Sequence, residues 1–293
     1  MKKVFLCIIV FFSAFYLQAQ SNKAGFVIPS PYEPDVLKAF ADSLYSQGFL
    51  SQAEGEYKRL LFALPEEEVL QNQNAQTSLL ALSNIYKKQN NLGGIVWLKE
   101  NFYSQAQLPV KEKINFVQAE FLFKERNAGN FCNFSDSLLA ERKDFSPDFK
   151  NLVDVSELLL KNDIGGLRAF TTGLAALNPD YQELNNLCKS YKLKSPGLAL
   201  FLSSLLPGSG RWYTGSFGAF TSSFLTIGTF AAGTIYTGIK SEWKSWQPYV
   251  FGTCGLVLYI VELYGSYQSA KRYNNALYRV LCEETEKLYE KEY

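Results

Sequence analysis

Pro207-Gly208-Ser209-Gly210-Arg211-Trp212-Tyr213-Thr214-Gly215 opens into a run without a single charged residue from Trp212 to Ile239. A run of that length can cross a bilayer, whose hydrocarbon core asks for about 20 apolar residues in a helix. The chain therefore reads as a membrane protein, and the rest of the sequence can be placed around this segment. Upstream, residues 197–206 are apolar but too short to cross and are stopped by Pro207-Gly208, which predicts a short helix lying in the interface. The first span is expected over 217–239. Lys240-Ser241-Glu242-Trp243-Lys244-Ser245-Trp246 then concentrates charge with two tryptophans, as where a chain meets lipid headgroups. A second span is expected over 248–267, and 275–293 reads as a separate polar helix with Leu277, Leu281 and Leu288 on one side.

In the loop 207–215, Pro207 ends the preceding helix, while Gly208, Gly210, Gly215 and Gly218 permit positive φ and close backbone approach. The expectation is a tight re-entrant turn, with Trp212 and Tyr213 suited to the headgroup layer. The glycines read as turn formers, since no Lys with Ser or Thr follows them as in a phosphate-binding loop. On the spans, Gly228 with Ala232, Thr229 with Gly233, and Gly252 with Gly255 offer small surfaces for close helix packing, within the hairpin or between copies of the chain. Glu262 is the one charged residue inside either span, and a carboxylate in hydrocarbon is costly unless paired or near the surface. Two readings stay open. Arg211 pairs with it if the loop folds back onto the second helix, or the span ends by Val261 and Glu262 sits in the interface.

The pattern Leu202-Ser203-x-x-x-Pro207-Gly208-x-Gly210-x-x-Tyr213-x-Gly215-x-x-Gly218, followed by two apolar helices, resembles a bacterial membrane family of unknown function. It is also similar to the two-transmembrane-segment domain of bacteria and animals, in which a glycine, aromatic, Tyr-x-Gly loop precedes the first helix and the second carries an acid. That resemblance implies Glu262 as the acid and covers the region from Ser195 to Asn274. The distance from Gly218 to Glu262 exceeds that of the family's compact hairpin. No activity comes with the resemblance.

The N-terminus reads Met1-Lys2-Lys3, an apolar run from Val4 to Leu17, then Gln18-Ala19-Gln20, which matches a secretory signal over 1–19. From Pro34 to Tyr191 apolar residues recur at helical spacing, so this half is expected to be all-helical. Leu37, Phe40, Ala41 and Leu44 line a first helix, Gly48 breaks it, and Ala53, Tyr57, Leu60 and Leu61 line a second that stops before Pro65. The spacing resembles the tetratricopeptide repeat, in which small residues such as Ala41 and Ala53 let two helices cross closely. Further pairs are expected with a polar turn at Asn90-Asn91, over 110–126 with 134–142, and over 147–161 with 165–177. Ser146-Pro147 serves as cap and first-turn proline of the last pair, and a capping helix is expected from Asn178-Pro179-Asp180 to Tyr191. The repeat domain, 20–194, ends near Lys194, and 195–274 is the membrane domain.

Without Lys2 and Lys3, the 29 basic and 28 acidic residues become 27 and 28, too balanced to favour nucleic acid. The absence of histidine removes the commonest general base and zinc ligand. Neither metal-ligand spacing nor a nucleophile with its base is visible, so no metal, cofactor or catalytic activity is expected. Cys132 and Cys188 allow a disulfide or unpaired thiols. The reading is a non-enzymatic, all-α scaffold or accessory protein of the bacterial envelope, anchored in the inner membrane with its repeats in the periplasm and docking a protein partner. The alternative is a small transporter or channel component using the hairpin and Glu262. A cleaved signal and two spans place both ends in the periplasm, whereas the basic residues flanking the spans favour the opposite orientation.

Overall fold

A computed structural model describes residues 33–291, and the signal reading at 1–19 lies outside them. Among the described residues every regular element is helical, with fourteen α-helices and three short 3-10 turns. They form two compact units, divided between Phe121 and Leu122.

The first unit contains α1 (Pro34–Ser46), α2 (Leu50–Ala63), α3 (Glu66–Val69), α4 (Gln73–Lys88), α5 (Leu92–Phe102) and most of α6 (Leu108–Lys124). Gly48 turns the chain at φ 83°, α1 packs on α2, and Ala41, Ala53, Tyr57, Leu60 and Leu61 are buried. The Tyr57 hydroxyl donates to Asp42 Oδ1 at 2.7 Å and ties the two helices. Burial of the phenol, together with this carboxylate, raises the Tyr57 pKa. Phe40 departs from expectation and is exposed, because the buried stripe of α1 narrows to Leu37 and Ala41. Helix α2 ends at Ala63, before Pro65 as expected, and Pro65 stands at the N-cap position of the short α3. Between α4 and α5 the Tyr86 ring lies 2.4 Å from where a Cβ on Gly94 would stand, so glycine makes this close crossing.

The second unit continues from Leu122 with α7 (Ala128–Ser137), α8 (Pro147–Leu160), α9 (Ile164–Leu177), α10 (Gln182–Ser190), α11 (Pro196–Leu205), α12 (Ser209–Tyr213), α13 (Phe217–Ser241) and α14 (Gln247–Lys291). Helix α7 starts six residues before the expected 134, because Asn127 caps it by accepting from Asn130 N–H. It also ends at Ser137, and Arg142–Asp144 is a separate 3-10 turn. Ser146 caps α8 through Phe149 N–H, with Pro147 in the first turn. Three αα-turns share one construction: Asn90, Arg126 and Asn162 take positive φ, each 36 positions after the one before. The next residues, Asn91, Asn127 and Asp163, cap the following helix with their side chains.

The second span and the polar helix, expected as two elements, are one continuous helix of 45 residues, about 67 Å long at the α-helical rise. No proline interrupts it after Pro248, and the polar stretch around Lys271 to Asn275 contains residues that helices tolerate. Among the described residues α14 is the one helix both long and apolar enough to cross a membrane. Helix α13 has the length, with 25 residues, but Gly, Ser and Thr dilute its apolar content. Glu242 and Trp243, both at positive φ, reverse the chain between them. The antiparallel pair packs through small residues: a Cβ on Gly233 or Gly255 would meet Phe251 or Phe230 at 3.2 Å, and one on Gly252 would meet Thr234. Gly228 faces open space instead.

The two ends of α14 live in different surroundings. Val250, Leu256, Val257, Ile260 and Val261 are exposed, whereas Leu281, Cys282, Leu288 and Tyr289 are buried where α14 packs on α8 and α10. Tyr289 and Ser156 share a hydroxyl hydrogen bond of 2.9 Å, its ring lies 5.8 Å from that of Phe123, and Glu286 pairs with Arg126 at 2.6 Å. Cys132, Cys188, Cys254 and Cys282 are all unpaired thiols.

Candidate functional site

The glycine loop folds back as the sequence allows, but it contains a helical turn, α12, rather than a bare reversal. Ser195 caps α11 by accepting from Leu198 N–H, and the helix ends at Leu205 before Pro207. Gly208 then takes φ 87°, and a Cβ there would stand 2.9 Å from the Phe220 carbonyl on α13. Gly210 is tighter still: its Cβ would lie 2.1 Å from the Ala199 carbonyl, so α12 rests backbone to backbone on α11. Gly215 takes φ 90° in the turn into α13, whereas Gly218 has open space around it and no positive φ. The structure thus gives no reason for glycine at 218.

That seating carries Arg211 onto α14. Its Nη2 lies 2.8 Å from Glu262 Oε2, and Glu262 is only 4% exposed. The Ser223 hydroxyl from α13 donates to the same oxygen at 2.7 Å, and Ser266 donates to Oε1 at 2.9 Å. Behind Ser266 the chain continues, with Ser203 Oγ donating to Ser266 Oγ at 2.7 Å and Gly210 N–H donating to Ser203 Oγ at 2.9 Å. Each hydroxyl accepts from one neighbour and donates to the next, so the series ends on the carboxylate and draws its direction from that charge. Four elements meet there. Thr214 on the loop and Ser269 on α14 add a hydroxyl pair at 2.6 Å, and Tyr259 donates to the Ser204 carbonyl at 2.9 Å.

Glycine also explains how the guanidinium arrives. A Cβ on Gly265 would stand 2.3 Å from Arg211 Nη2, so a side chain at this position would push the arginine off the acid. Glu262, Gly265, Ser266 and Ser269 follow the i, i+3, i+4, i+7 spacing of one helix face. Of the open readings of Glu262, the geometry is therefore the pair with Arg211. Burying an ion pair costs desolvation, and removing one partner is worse than keeping both, because the other charge is then stranded. With both oxygens engaged, the carboxylate binds the loop, α11 and α13 to α14.

Tyr213 faces the base of the hairpin, where its hydroxyl accepts from Ser195 N–H at 3.3 Å and Lys194 Nζ sits 4.6 Å from its ring. Asn274 clamps the same point from α14, accepting from Lys194 N–H and donating to its carbonyl, both at 2.9 Å. Trp212 remains exposed and stacks on Phe220 at 5.4 Å. The residues of the first helical hairpin, Ala41, Gly48, Ala53, Tyr57 and Pro65, belong to the other unit. Ser223, Gly265 and Ser266 escape a motif-based reading, although the spacing of Gly265 and Ser266 from Glu262 was available as a signal. Ser223 is placed only by the packing of α13 on α14, and no local pattern marks it.

Comparison with protein-family models, with curated proteins and with solved structures gave no match in any of the three.

Proposed function

We propose that this chain is an exported, non-enzymatic scaffold or accessory protein of the bacterial envelope, held in the inner membrane by the α13–α14 hairpin. In this reading it presents tetratricopeptide-like repeats to a protein partner in the periplasm. The observation that carries it is α14 itself, a single helix whose first half exposes large apolar side chains and whose last turns are core residues of the helices around α8 and α10. Exposed apolar surface on this scale marks a membrane or partner surface. The contact of Tyr289 with Ser156 supports an even number of crossings, since it keeps the C-terminal turns and α8 on one side. The shared turn at 36-residue intervals supports the repeat reading, because solenoids reuse one connection between stacked units. The full engagement of Glu262 favours a structural anchor over a polar transport path.

The test is topology in intact cells, with single cysteines introduced into a cysteine-free chain. A cysteine beside Glu290 should react with an impermeant reagent and one beside Glu242 should not. The reverse pattern, or release of the protein by alkaline carbonate, would overturn the anchor and its orientation. Crosslinking of the full chain in membranes should then capture a protein partner on the repeats, and capture on the hairpin alone would turn the reading towards a membrane-embedded complex.

A further inference from the structure

Beside the Arg211–Glu262 pair, a cavity of about 330 Å³ opens between the loop, α13 and α14. Arg211 lines it, and so do Arg272, Gln268, Ser216 and Ser269, with Ala219 and Val261 on the apolar side. No carboxylate lines it. Glu262 lies behind Arg211 with both oxygens taken, so its charge is spent on one guanidinium and Arg272 is left without an ion pair among the described residues. Arg211 Nε is buried and makes no hydrogen bond within the protein. A buried guanidinium N–H without an acceptor is costly, and such groups are normally satisfied.

From these observations we infer that the cavity binds a phosphate ester, held between Arg211 and Arg272. Guanidinium groups suit phosphate because their forked donors match its oxygens, and two of them leave the lining with an uncompensated positive charge. The volume lies at the low end of ligand pockets and has room for a phosphate with its ester substituents. The apolar side leads to Val261 and the exposed face of the hairpin, which favours a phosphate carried on lipid chains over a free one. This inference rests on the hairpin lying in a membrane. It adds a ligand to that site: an anionic phospholipid headgroup seated where the loop meets α14.

The measurement is native mass spectrometry of the full chain in detergent, titrated with phosphatidylglycerol, with diacylglycerol of the same acyl chains, and with inorganic phosphate. Phosphatidylglycerol should form a one-to-one adduct, and diacylglycerol should not. Arg272→Gln, at an exposed position outside the buried network, should weaken the adduct about tenfold, as expected for one lost charge-assisted contact, and leave the lipid-free melt unchanged. Competition by inorganic phosphate at comparable concentration would keep the phosphate site and assign it to a free ester. Equal binding of diacylglycerol, or an Arg272→Gln adduct of undiminished strength, would overturn the inference. Carbonate extraction separates the two possible failures, since a chain that stays in the membrane but ignores phosphatidylglycerol fails only here.

Discussion

The helices of the first unit and the α13–α14 hairpin are built with opposite polarity. In the first unit Leu79, Leu82, Ile85 and Tyr86 are completely buried, and most charged side chains lie outward. In the hairpin Leu225 is 60% and Ile260 57% exposed, while Glu262 and Ser266 are inside. With the hairpin in lipid, as proposed, both arrangements satisfy the same rules in different surroundings. Where water is outside, burying apolar area drives packing. Where lipid is outside, apolar contact has no such value, and helices associate through small residues and internal hydrogen bonds. Gly233, Gly255, Ser223 and Ser266 are residues of that second kind. Helix α14 contains both regimes in one rod, its outside becoming its inside between Val261 and Leu281.

The contrast is broken most directly at its charged centre. Arg211→Ala should cost about 3–5 kcal/mol in detergent melts, because it strands a buried carboxylate. Glu262→Gln should cost about 1–2 kcal/mol, since an amide keeps part of the hydroxyl contacts. The double substitution should recover part of the Arg211→Ala loss. Effects that add within about 0.5 kcal/mol would mean the pair is uncoupled and the hairpin is not organised around it.

Leucine truncation compares the two regions next. Leu82→Ala should destabilise the first unit by about 2–5 kcal/mol through transfer and cavity costs. Leu225→Ala opens no cavity, so its melt in detergent should match the parent. A comparable loss at both sites would show that Leu225 packs against protein rather than lipid. Smaller again is the effect of glycine. Gly210→Ala drives a methyl into the Ala199 carbonyl, which belongs to the backbone and cannot rotate away, and should cost about 1–3 kcal/mol. Gly228→Ala meets nothing and should be neutral or stabilising by about 0.5–1 kcal/mol from helix propensity.

Much of this was legible in the sequence because it is local. The helical hairpin with Ala41 and Ala53, the cap at Ser146, the loop glycines 208, 210 and 215 and the isolation of Glu262 can all be read within a few residues. The continuity of α14 was not, since the change from apolar to polar composition near Arg272 mimics a boundary and the helix crosses it without a breaking residue. The start of α7 was missed because the turn uses Arg126, not glycine, at positive φ, a position its two counterparts fill with asparagine. The hydroxyl chain was hidden for a different reason. Ser203 and Ser266 are 63 residues apart, and they meet through the packing of α11 on α14.

The last effect expected is one of pH, and it belongs to the first unit alone. Lys113 on α6 is buried, and desolvation, reinforced by the charge of Lys87 and opposed by Glu120, lowers its pKa to about 8. In the unfolded chain it titrates near the ordinary lysine value of about 10.4. Below pH 8 both states carry the proton and the full penalty of burying it is present. Between about 8 and 10 the unfolded state binds more protons than the folded one, so stability rises with pH. Tyr57 and Tyr86 act in the opposite sense, since their raised pKa values keep the folded state protonated, but only above about pH 10 where an ordinary tyrosine ionises. Chemical denaturation of the full chain, followed by a probe in the first unit, should therefore show a gain on the order of 1 kcal/mol from pH 7.5 to 9.5. Lys113→Met should remove that slope. A slope that persists in the variant would assign the titration to another group, and a parent whose stability falls over this interval would show that Lys113 keeps its proton in the folded protein.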